Sequence, residues 1–107
     1  MSRRPQSCVW CGREVSDSDM GRRRRYCRQS CRQRAYEQRN AAKGTAIPED
    51  AVVLTAAEAV DLADRSFAAR CAAEDVATAI REGAAQDELS ALCDEMVLLA
   101  RDAERLR

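Results

Sequence analysis

Cys8-Val9-Trp10-Cys11 and Cys27-Arg28-Gln29-Ser30-Cys31 decide how the N-terminal part of this chain is read. The four cysteines form two close pairs, C-x2-C and C-x3-C, separated by a polar span that ends in four consecutive arginines at residues 22–25. Two close thiolate pairs joined by a loop suit a tetrahedral ion, because each pair spans one edge of the tetrahedron and the loop closes it. The pattern predicts one structural zinc ion held by Cys8, Cys11, Cys27 and Cys31. Four protein ligands leave no position open for water, so the site is expected to organise the chain and not to catalyse.

Working outward, the chain has 107 residues, enough for one ordinary domain or two very small ones. Nothing reads as a signal peptide, and no apolar run is long enough to span a membrane. A cytoplasmic protein is therefore expected, where clustered cysteines serve as metal ligands more often than as disulfides. Histidine is absent, which excludes His-dependent catalysis and a mixed cysteine–histidine finger. No nucleophile motif, phosphate-binding glycine loop or paired-carboxylate signature is present, so neither an enzyme nor a small-molecule substrate is expected. The net charge of zero hides an asymmetry: residues 1–45 hold 12 basic and 4 acidic side chains, and residues 46–107 hold 6 and 14. A basic half and an acidic half call for different partners.

The expected organisation is a disordered basic arm at 1–7, a zinc finger at 8–42, a linker at 43–49 and an acidic helical hairpin at 50–107. Gly12 and Gly21 suit turns, and Ser16, Asp17, Ser18 and Asp19 make a polar connection between short strand-like pieces. Helix formers run from Cys27 to about Ala42, and Gly44 and Pro48 end that helix. Thr55-Ala56-Ala57-Glu58 has the form of a capping box, so a helix should start near Ala56 and run to Gly83. A last helix should start near 85–87, with Asp87 and Glu88 in its first turn, and run to the end of the chain.

That last helix carries Leu89, Leu92, Met96, Leu99, Ala103 and Leu106 in alternating 3,4 spacing, an a/d stripe. The turn before it is short, which gives an antiparallel αα-hairpin. The first hairpin helix is apolar on two sides, with Val60, Ala63, Phe67 and Cys71 on one and Leu62, Ala69, Ala73, Val76 and Ile80 opposite. One partner helix covers one side, so a second cover is expected: the finger, a second copy or another protein. Val60, Phe67, Leu89, Leu92, Met96, Leu99 and Leu106 are the candidate oligomer or partner contacts. Cys71 and Cys93 read as small buried hydrophobes.

Cys8-x2-Cys11 followed by Arg25-Tyr26-Cys27-x3-Cys31-Arg32 resembles the treble-clef zinc fingers of the MYM/FCS/TRASH type. It is also similar to small bacterial zinc proteins whose finger ends in a run like Cys31-Arg32-Gln33-Arg34-Ala35-Tyr36. The resemblance covers residues 6–42. It implies a short β-hairpin with the first pair on a knuckle, and the second pair at the start of a helix. Arg28 departs from the group, which often has Ser after the third cysteine. Such fingers serve both DNA and protein binding, so the likeness speaks to fold before function.

With Cys31 pointing inward, Ala35, Gln38 and Ala42 lie near the same face of the finger helix. Arg28, Arg32, Tyr36 and Arg39 line an adjacent face, flanked by Gln33 and Asn40. Guanidinium groups with an aromatic ring and amides are what phosphate and base-edge contacts require. Arg22, Arg23, Arg24 and Arg25 precede the helix and could clamp a backbone. The expectation is a zinc-finger DNA-binding regulatory or architectural protein, with DNA favoured over RNA. The acidic hairpin would oligomerise or recruit a helical partner. The competing expectation is a protein–protein adaptor, or a ribosome- or RNA polymerase-associated factor, with a purely structural finger.

Overall fold

The computed structural model describes residues 3–16 and 24–107. The predicted turn at Gly21, the polar residues Asp17, Ser18 and Asp19, and Arg22 and Arg23 lie outside these residues. Among the described residues three helices follow in order: α1 (Gln29–Ala42), α2 (Ala56–Arg81) and α3 (Gln86–Ala103). Two compact units account for the chain, Met1–Leu54 with Leu106–Arg107, and Thr55–Arg105.

In the first unit the chain folds back on itself around the first cysteine pair. Ser7 and Glu14 form an isolated antiparallel bridge, and Val15 donates to the Gln6 carbonyl at 3.0 Å. Cys8 N–H bonds the Arg13 carbonyl at 2.7 Å, and Gly12 N–H bonds the Cys8 carbonyl at 2.9 Å. Gly12 sits at φ 81, a left-handed conformation that lets the chain reverse straight after Cys11. Among the described residues no β-strand is formed. The single bridge stands where a short β-hairpin was expected.

α1 begins two residues later than the sequence pattern suggested, at Gln29. Its inward face is Cys31 and Ala35, both buried, with Gln38 and Ala42 half-buried. The buried cluster of this unit is Cys8, Cys11, Val15 and Cys31, with Trp10, Tyr26 and Cys27 packed against it. A module whose most deeply buried side chains are Cys8 and Cys11 has little apolar core of its own. After α1 the chain crosses back over it, where the Gln38 amide donates to the Ala51 carbonyl at 3.2 Å.

The second unit is a helical hairpin. Thr55 and Glu58 close a reciprocal capping box: Glu58 N–H donates to the Thr55 hydroxyl at 3.0 Å, and Thr55 N–H donates to the Glu58 carboxylate at 2.9 Å. Gly83, at φ 70, ends α2, with Ala84 N–H returning to the Ala79 carbonyl at 3.0 Å. α2 and α3 pack on each other. The inward face of α2 is Ala72, Val76 and Ala79, with Leu62 half-buried, and Arg65 lies among them. Small residues at 72 and 79 let the helices approach, so Ala73 and Ile80, expected on this face, turn outward. Leu89, Leu92, Met96, Leu99 and Ala103 form the half-buried stripe of α3.

Arg65 is 8% exposed, an unusual place for a guanidinium. It donates to Asp61 at 2.9 Å, and its Nη1 reaches the carbonyls of Asp102 at 2.7 Å and Arg105 at 2.8 Å. A cation at the C-terminus of α3 satisfies orphan carbonyls and opposes the helix dipole. Because Arg65 lies early in α2 and these carbonyls end α3, the pair is antiparallel. α3 therefore stops at Ala103 and does not run to residue 107, which corrects the expected helix end. Leu106 leaves the stripe and belongs to the first unit, where its N–H donates to the Cys11 carbonyl at 2.6 Å.

Candidate metal centre and the groove along helix 1

Cys8, Cys11, Cys27 and Cys31 are brought together, with their sulfur atoms all within 4.8 Å of one another. The knuckle supplies the first pair. The second pair straddles the start of α1, Cys27 just before it and Cys31 in its first turn. Sγ of Cys27 lies 3.5 Å from Cys11 and 3.6 Å from Cys31. A zinc–sulfur bond of 2.3 Å gives a tetrahedron edge of about 3.8 Å, so the spacing fits one tetrahedral ion with four thiolate ligands.

The electrostatics point the same way. Burial works against ionisation of Cys11, but hydrogen bonds from Arg13, through both backbone and side chain, and from Cys27 and Cys8 bring its thiol down to about 6. Burial and the crowded neighbours Cys11, Cys31 and Cys8 push Cys27 up to about 12. Cys31 is also raised, by burial first, against a lowering hydrogen bond from Arg28. Four sulfurs this close cannot all be anionic unless a cation sits between them.

Two arginines stand beside the cluster; the sequence placed the charge of Arg28 next to the metal site, but gave no such place to Arg13. Arg13 follows Gly12 in the knuckle and lowers the Cys11 thiol. Arg28 lies beside Cys31 and Cys27, whose sulfurs hold its proton more firmly than in free arginine. A divalent ion with four thiolates carries two negative charges, and two guanidinium groups balance them. Arg28 is also the N-cap residue of α1, with no side-chain cap of its own.

Residues 106–107 dock on the knuckle. The Arg107 guanidinium stacks on the Trp10 ring, 3.7 Å from its centroid, and donates to the Trp10 carbonyl at 2.8 Å. It also reaches the Val53 carbonyl at 3.0 Å, while Arg13 donates to the Arg107 carbonyl at 3.0 Å. Trp10 thus packs within the finger unit. Nothing in the local sequence marks Arg107 for this, since its partners lie 54 to 97 residues away.

Along α1 runs a groove of about 740 Å³. Of the residues expected at a nucleic-acid surface, Arg24, Arg25, Arg28, Arg32, Gln33, Tyr36 and Arg39 line it together. Tyr26 and Gln29 join them. Gln29 stands four positions before Gln33, a spacing that sequence alone could have used. Arg39 donates to the Tyr26 hydroxyl at 3.3 Å, and the Arg25 guanidinium lies 5.8 Å from the Tyr26 ring centre. The Gln33 amide donates to Glu37 at 3.3 Å. Among the described residues no carboxylate lines it.

The candidate interface residues divide. Val60 and Phe67 on α2 are exposed, as are Val97 and Leu98 on α3. Leu89, Leu92, Met96 and Leu99 are half-buried in the hairpin. Cys71 and Cys93 are half-buried free thiols. Among the described residues no helix is long and apolar enough to cross a membrane. No protein-family model, curated protein or solved structure matches this chain.

Proposed function

We propose that the four cysteines hold one structural zinc ion in a treble-clef-like finger, and that the groove along α1 binds nucleic acid, with DNA as the first choice. Zinc suits four thiolates at tetrahedral spacing with no open position. The observation that carries the nucleic-acid reading is the groove: among the described residues that line it are five guanidinium groups, two phenols and two amides, and no carboxylate. Arginines neutralise phosphates by displacing counterions, and rings and amides add base contacts. The zinc ion performs no chemistry on the ligand; it fixes the start of α1 so that Arg28, Arg32, Tyr36 and Arg39 share one side. The protein would then act as a regulatory or architectural factor through whatever its hairpin recruits.

Fluorescence anisotropy with labelled mixed-sequence DNA, single-stranded and duplex, tests this. Binding should appear at low salt. Four or five phosphate contacts should give a log–log salt slope of about −3 to −4.5, the shallower end for a single strand. Arg32→Glu with Arg39→Glu should abolish binding while circular dichroism stays unchanged. Absence of binding to every DNA at low salt overturns DNA as the ligand, and absence of binding to RNA as well overturns the nucleic-acid reading.

A second reading concerns the hairpin. Phe67 is 56% exposed and Leu98 67%, and Val60 and Val97 are exposed as well. Large apolar side chains left outside a helical pair favour self-association or a helical partner. Sedimentation should show a dimer at micromolar concentration that Phe67→Glu with Leu98→Glu dissolves; a monomer throughout removes this reading.

A further inference from the structure

We infer that the groove along α1 takes a single strand of nucleic acid, with a base laid flat on Tyr36, in preference to a duplex. This rests on the reading that the groove binds nucleic acid. A helix that reads duplex DNA enters the major groove as a ridge, with side-chain tips reaching outward to base edges. Here the arginine–tyrosine side of α1 is one wall of a concave groove. Arg24, Arg25 and Tyr26, which precede the helix, form part of the rest. Groups that look into a cleft are poorly placed to reach into a stacked duplex, and well placed around a chain that can enter the cleft.

The two rings are in different states. Tyr26 is held: its hydroxyl accepts from Arg39 at 3.3 Å, Arg25 lies 5.8 Å from its ring centre, and it packs on the buried cysteine cluster. Tyr36 is 54% exposed within the same groove. A fixed ring flanked by guanidinium groups and a second, open ring is the chemistry that stacks unpaired bases while cations follow the backbone. A duplex keeps its bases stacked on one another and cannot offer a face to Tyr36. The amides of Gln29 and Gln33 lie in the same groove, within the range of chemistry that reads a splayed base edge.

The test uses the full zinc-loaded chain and four labelled 20-mers of one mixed sequence: single-stranded DNA, single-stranded RNA and the two matching duplexes. Titrations are run by anisotropy at low and moderate salt. At least one single strand should bind ten-fold or more tighter than either duplex, and the DNA and RNA arms show which sugar is preferred. Tyr36→Ala should weaken that binding about ten-fold, as loss of one base stack does, and weaken duplex binding clearly less. Tyr36→Phe should bind like the parent, and circular dichroism should show both variants folded. If a duplex binds as tightly as the single strands, or Tyr36→Ala binds like the parent, the inference fails while the nucleic-acid function stands. If none of the four binds, both fail.

Discussion

The two units reach order by different means. In Met1–Leu54 with Leu106–Arg107, the deepest burial belongs to Cys8 and Cys11, and the surrounding apolar residues are few. In Thr55–Arg105, order comes from two long helices, a capping box, small residues at the crossing and one buried arginine. The first is organised around a point and the second along a line. The charges segregate with it. A unit held by an ion, as proposed, would need little apolar surface, which leaves its helix free to carry a basic side. The hairpin must bury what it has, and its polar residues go to caps and outer faces.

Metal removal should break the comparison most sharply. Apparent binding free energies of structural zinc are on the order of 10–16 kcal/mol at neutral pH, more than a small finger's own stability. Chelation, or Cys11→Ser, should unfold the first unit and leave the second helical. α1 contributes 14 helical residues against 26 in α2 and 18 in α3, so about a quarter of the helical dichroism should disappear. Trp10 fluorescence should change with it, because Arg107 stacks on that ring only while the knuckle is formed. Complete loss of helical signal would show that the hairpin depends on the finger.

Acid should act on the finger first. Metal binding needs thiolates, so each raised thiol gives up its proton when the ion enters. In the folded cluster without a cation, Cys27 is pushed up to about 12 and Cys31 is also raised, while Cys11 is lowered to about 6. Because the metal-free unit is expected to unfold, its thiols return to the ordinary cysteine value of about 8.5. Zinc uptake at pH 7 should therefore release close to one proton per cysteine, measurable by calorimetry in buffers of different ionisation heat. Affinity should fall as pH falls. For the metal-free finger the signs differ. The lowered Cys11 favours folding above its folded value, and the raised Cys27 and Cys31 favour folding at low pH and oppose it as pH rises.

Arg65 is the counterpart of the cysteines in the hairpin. Replacing it by Met removes its hydrogen bonds to Asp61 and to the helix-end carbonyls of Asp102 and Arg105. Hydrogen bonds to charged groups make this a loss of about 2–3 kcal/mol. Thermal unfolding of α2 and α3 should shift while zinc affinity, read by chelator competition, stays the same. An unchanged melting temperature would mean the carbonyls find water at no cost.

The cysteine cluster, the inward face of α1, the capping box at Thr55 and the half-buried stripe of α3 were legible in the sequence, because each rests on spacing within one element. What was not legible depends on partners far apart. Arg65 sits in an amphipathic pattern like any surface arginine, and its role appears only once α3 ends beside it. The same fact shortened α3 and moved Leu106 out of the stripe, since hydrogen bonds to Cys11 across 95 residues leave no local periodicity. Arg13 and Arg28 were visible as charges, but not as partners of sulfur.

The smallest expected effect separates the two helix starts. α2 begins with a reciprocal box at Thr55 and Glu58, whereas α1 begins at Arg28 with no capping side chain and no acidic residue in its first turn. Yet α1 does not lack negative charge there, because Cys27 and Cys31 flank its first turn, and their thiolates in the metal-bound state meet the positive end of its dipole. Thr55→Ala should cost the hairpin about 1 kcal/mol, whether or not zinc is present. The start of α1 should instead fray only when the ion is removed, which hydrogen exchange at the amides of residues 29–32 can follow. If those amides stay protected in chelator while the rest of the finger opens, α1 is capped by something other than the cluster.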